Sequence, residues 1–68
     1  MIFSINTRTA AELSQTGLEL LGTAQTQADA VEVAQEALGE EFLGVVTLQR
    51  FEKAGRNHYA VWVDTKKH

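Results

Sequence analysis

Thr26-Gln27-Ala28-Asp29-Ala30-Val31-Glu32-Val33-Ala34-Gln35-Glu36-Ala37-Leu38-Gly39 is the stretch from which the rest of the chain is read. Thr26 is an N-cap, because its hydroxyl can accept from amides that the first helical turn leaves free. Asp29 places a negative charge near the positive end of the helix dipole, and Gly39 is a natural stop. Between them Ala30, Val31, Val33, Ala34, Ala37 and Leu38 fall on one side at helical spacing. Asp29, Glu32, Glu36 and Glu40 fall on the other. The spacing predicts an amphipathic helix whose small alanines let it lie close to a sheet.

Downstream, Phe42–Phe51 reads as a strand, with its alternation slipping near Arg50-Phe51 as at a bulge or a strand end. Lys53-Ala54-Gly55-Arg56 reads as a turn with Gly55 at positive φ, and Asn57–Val63 as the returning strand of a hairpin. The tail Thr65–His68 reads as frayed. Upstream, Ile2-Phe3-Ser4-Ile5 is a short strand by its β-branched and aromatic content. Residues 9–25 read two ways. Thr9 and Glu12 have capping-box spacing, and Ala10, Leu13, Gly17, Leu20, Leu21 and Ala24 recur at helical intervals. Leu18, Leu20, Gly22 and Ala24 also alternate as one face of a strand, and each glycine weakens a helix by about 1 kcal/mol. The balance favours a helical turn over Ala10–Ser14 and a strand over 18–25. The fold expected is α+β: a small antiparallel sheet in the order β-β-α-β-β, with one helix packed on one face, forming a single domain over 1–68.

Sixty-eight residues bury a thin core, and the chain has no cysteine, so neither disulfides nor thiolate zinc can support it. No apolar run approaches the ~18 residues that cross a bilayer. The N-terminus lacks the basic and apolar regions of a signal peptide, which makes the cytoplasm the expected compartment. Charge is divided along the chain. Residues 1–41 carry Arg8 against seven carboxylates, whereas 42–68 carry five cations against Glu52 and Asp64. The halves can pair within the fold or show two electrostatic faces to partners.

Catalysis needs a positioned titratable group or a nucleophile with an adjacent base. His58 is the one histidine before the tail, and Ser4 and Ser14 stand in no base-bearing motif. His58 and Asp64 share a strand face but lie about 20 Å apart, too far to share an ion. The expectation is a protein that is not an enzyme and that uses no cofactor or metal. Two binding surfaces stand out. One is the acidic stripe Asp29, Glu32, Glu36 and Glu40, suited to a basic partner. The other is the sheet face bearing His58, Ala60 and Trp62, opposite Tyr59, Val61 and Val63. One helix covers one face only, so Trp62 is expected to lie open and meet another chain. The basic group Arg50, Lys53, Arg56, Lys66 and Lys67 could contact phosphates, though the net charge of −3 opposes nucleic acid.

The stretch Leu20-Leu21-Gly22-Thr23-Ala24-Gln25-Thr26, leading into Ala30-Val31 and followed by a hairpin, resembles two groups of small proteins over residues 18–64. One comprises phage-encoded inhibitors of the anti-CRISPR type, a likeness that implies a protein target and no pocket. The other is the dodecin-like group, which implies flavin binding by an aromatic within a multimer. The reading that follows is a small interaction protein, of phage or mobile-element origin, that inhibits a host complex. Its expected partner is another protein or protein complex, with a homodimer through the open sheet face as one form. The alternatives are a nucleic-acid-binding accessory domain using the basic hairpin and a dodecin-like small-ligand binder.

Overall fold

The computed structural model describes residues 1–64. Strand β1 spans Ile2–Asn6, helix α1 Ala10–Gln15, β2 Leu18–Ala24, α2 Gln27–Leu38, β3 Val45–Lys53 and β4 Arg56–Asp64. The strands form one sheet in the order β1-β3-β4-β2. The α+β class and the order of the main elements are as the sequence implies.

The caps form as read. Thr26 accepts from the Asp29 amide at 3.1 Å, and Gly39, at φ 82°, closes α2 by donating to the Gln35 carbonyl. Thr9 accepts from the Glu12 amide at 3.2 Å, and its hydroxyl meets the Glu12 carboxylate at 3.3 Å, which fixes the start of α1. In the β3–β4 hairpin Lys53 pairs with Arg56, leaving a two-residue loop in which both Ala54 (φ 53°) and Gly55 (φ 76°) are left-handed. This is the loop whose twist matches the strands it joins.

Several expectations are corrected. The sheet is mixed rather than antiparallel: β1 runs parallel to β3, Ile2 opposite Val45 and Asn6 opposite Gln49. The cause lies in the connection, because a helical crossover returns the chain in its original direction. The chain leaves β1 at one edge, crosses one face through α1 and enters β2 at the other edge. It then returns to β3 through α2 on the opposite face. The second correction follows from the first: helices lie on both faces, not one. The third concerns β2, where pairing shifts between Leu20 and Gly22. Leu21 is an extra residue, so Leu18 and Leu20 face α1 while Leu21, Gly22 and Ala24 face α2. The four positions expected on one face are split between two. The slip at Arg50-Phe51 is neither a bulge nor a strand end, since β3 keeps regular register with β4 from Val46 to Lys53. Phe42-Leu43-Gly44 lies before the strand.

Under α2 the core is Ala30, Ala34, Val46, Leu48 and Val61, fully buried, with Phe3, Leu21, Val33 and Tyr59 packed around it. Close approach of α2 to β2 depends on Gly22, where a Cβ would stand 3.2 Å from Val33 Cγ1. A second cluster, Leu13, Ala60 and Trp62 with Leu18 and Phe51, lies under α1. No helix among the described residues is long and apolar enough to cross a membrane.

Candidate interaction surfaces

Trp62 occupies the predicted face but not the predicted environment. Strand alternation sends Val61 and Val63 toward α2, leaving Trp62 with Ala60 and His58 on the other side, as read from the sequence. There the side chain is only 6% exposed, because Leu13 of α1 packs on its cluster. A helix of six residues, through Leu13, suffices to cover this part of the face. His58 is half-buried and stacks on Phe51, ring centroids 5.7 Å apart. In this arrangement neither ring forms an open apolar platform.

Gln49, missed in the sequence, ties this face together. It is the one polar side chain buried among the described residues. Its Oε1 accepts from Trp62 Nε1 at 3.0 Å, and its Nε2 donates to the Arg8 carbonyl at 2.8 Å. The amide thus satisfies a buried indole and anchors the segment leading into α1. A glutamine beside Leu48 and two residues before Phe51, in step with the aromatic ring on one strand face, was the available signal. Beside this network lies a groove of about 480 Å³ lined by Thr7–Ala10, Leu20, Phe51, Ala60 and Trp62. Among the described residues its lining includes no Asp, Glu, His or Cys.

The acidic stripe is shorter than expected. Asp29, Glu32 and Glu36 are exposed along α2, but Glu40 lies beyond the Gly39 cap, in a turn where the helical spacing no longer applies. The basic group is also divided. Lys53 and Arg56 pair at the hairpin tip, while strand alternation puts Arg50 on the other side of the pleat. Lys66 and Lys67 lie outside the described residues, as does the tail reading for 65–68. Among the described residues no three His, Asp or Glu side chains gather closely enough to hold a metal ion.

The two sheet edges, unremarked in the sequence, differ most. β2 carries Glu19 and the Leu21 bulge, both of which discourage pairing with another strand. β1, Ile-Phe-Ser-Ile-Asn, has no charge, no proline and no bulge. Ile2 is 61% exposed and Ile5 47%, and Val45 beside Ile2 is also open. The uncharged composition of residues 2–6 was the legible sign. Comparison with known protein families, curated proteins and solved structures finds no match.

Proposed function

We propose that this protein is a small non-catalytic interaction module that binds another protein chain by strand addition along β1. The observation that carries the reading is the contrast between a guarded edge at β2 and an unguarded one at β1. Free main-chain donors and acceptors on an edge give affinity to an added strand, and flanking side chains give it selectivity. Ile5 on the α2 side of the strand, and Ile2 with Val45 on the other, supply that second element. Such binding needs neither a pocket nor a titratable group.

The acidic ridge of α2 is a second candidate surface, favoured by three exposed carboxylates, Asp29, Glu32 and Glu36, that face solvent together. Affinity capture from the lysate of the producing cell separates the two. Ile5→Lys adds a charge to the edge and should abolish capture, whereas Glu32→Lys with Glu36→Lys should leave it intact. The opposite pattern would transfer the function to the helix. Retention on plain duplex DNA that weakens with salt and is lost on Lys53→Gln with Arg56→Gln would replace both with nucleic-acid binding.

A further inference from the structure

We propose that the strand that fits β1 is β1 of a second copy, paired antiparallel about a two-fold axis through Ser4; this rests on the strand-addition reading above. The backbone sets the register. Ile2 donates its amide to Gly44 at 3.1 Å, so the main-chain groups of Ile2, Ser4 and Asn6 point inward to β3. Alternation turns the amides and carbonyls of Phe3 and Ile5 outward. An antiparallel copy centred on Ser4 sets Phe3 opposite Ile5 of the second strand, and Ile5 opposite its Phe3. Each of these pairs exchanges both main-chain hydrogen bonds, while the two Ser4 residues form the non-bonded pair between them. Every outward group of Phe3 and Ile5 is then satisfied.

The side chains agree with this register. Phe3 and Ile5 lie on the α2 side, opposite Val46 and Leu48 of β3. Because α2 packs over β2 and β4 and only touches β3, it leaves Ile5 about half exposed. The two-fold therefore closes two apolar Phe3–Ile5 pairs at the rim of the layer that α2 covers. Charge permits the approach as well. β1 is uncharged, and the resulting strand order separates the two β4 strands by five spacings, about 24 Å. The acidic α2 ridges thus stand apart by more than the screening length of about 8 Å at physiological salt. Two five-residue strands make an interface smaller than the ~1,200 Å² of standard complexes, which places the dissociation constant in the micromolar range or above.

The chain lacks cysteine, so single cysteines test the register directly. A non-bonded antiparallel pair sets Cα atoms about 4.5 Å apart, within disulfide reach. Ser4→Cys should form a covalent dimer under mild oxidation at least tenfold faster than Ser14→Cys, which places its thiol on exposed α1. Sedimentation equilibrium from roughly 10 μM to 1 mM should show a monomer–dimer equilibrium. Ile5→Lys and Ile5→Pro should each weaken it at least tenfold with the circular dichroism of the monomer unchanged. The proline removes an outward amide that β1 does not use in its pairing with β3. A wild-type chain that stays monomeric to 1 mM, or equal cross-linking at Ser4→Cys and Ser14→Cys, overturns the self-pairing. If that monomer still loses its lysate partner on Ile5→Lys, strand addition stands with a foreign strand. If both dimer and capture survive Ile5→Lys, both readings fall.

Discussion

The two faces of the sheet are stabilised by different means. The α2 face is uniform: alanines of the helix settle onto valine and leucine of the central strands with no polar side chain in the buried cluster. The α1 face has three buried apolar residues and a glutamine. The 12-residue α2 spreads its contacts over three strands, whereas the six-residue α1 is fastened by Leu13 and by the Gln49 bridge to Arg8. A short helix contributes little stability of its own and depends on its tertiary anchor. The contrast assigns global stability to the α2 side and local opening to the α1 side.

The strongest test of that contrast is Ala34→Glu, which buries an unpaired carboxylate beneath α2. A cost of several kcal/mol, comparable with the whole stability of a small domain, should abolish the cooperative melt. A melt left intact would remove α2 from the core. Leu13→Ala should cost about 2–4 kcal/mol and show its effect locally. Amide exchange should accelerate through residues 9–17 before the amides of β3 and β4 respond, whereas uniform acceleration would make the two faces one cooperative unit. Gln49→Leu keeps the volume but strands the indole N–H, for a loss of about 1–3 kcal/mol in urea denaturation. An unchanged midpoint would mean that the bridge orders the segment without stabilising it. The smallest effect lies outside both faces. Ala54 holds a left-handed conformation that costs a residue with a Cβ about 1 kcal/mol. Ala54→Gly should therefore raise the melting midpoint slightly, after the added unfolded-state entropy is subtracted. A lower midpoint would show that the turn is unstrained.

What the sequence made legible follows the distance over which each signal acts. Both caps and the hairpin turn are set by residues within four positions of one another, and Thr9, Thr26, Gly39 and Gly55 all behave as their local chemistry dictates. The parallel pairing of β1 was not legible, because its partner lies 43 positions away and a five-residue apolar strand carries no mark of direction. β2 misled because the extra residue Leu21 changes which face its neighbours present, and periodicity arguments assume an unbroken count. Trp62 was placed on its face correctly by alternation, yet its covering depended on a helix of less than two turns. Of the interaction surfaces, the acidic residues of α2 were visible as a stripe. The open edge of β1 became visible only once strand order was known.

The arrangement of aromatic residues gives the chain two independent optical reporters. It contains one tryptophan and one tyrosine. Trp62 lies under α1 with its indole nitrogen held by Gln49, while Tyr59 packs against the cluster under α2. Each chromophore therefore senses one side of the sheet. Emission excited at the red edge, where only indole absorbs, follows release of α1, and the tyrosine component of the second-derivative absorbance, separated from the overlapping indole band, follows loss of the α2 side. Unfolding of the two layers can thus be timed against each other in a single cuvette, with no label attached.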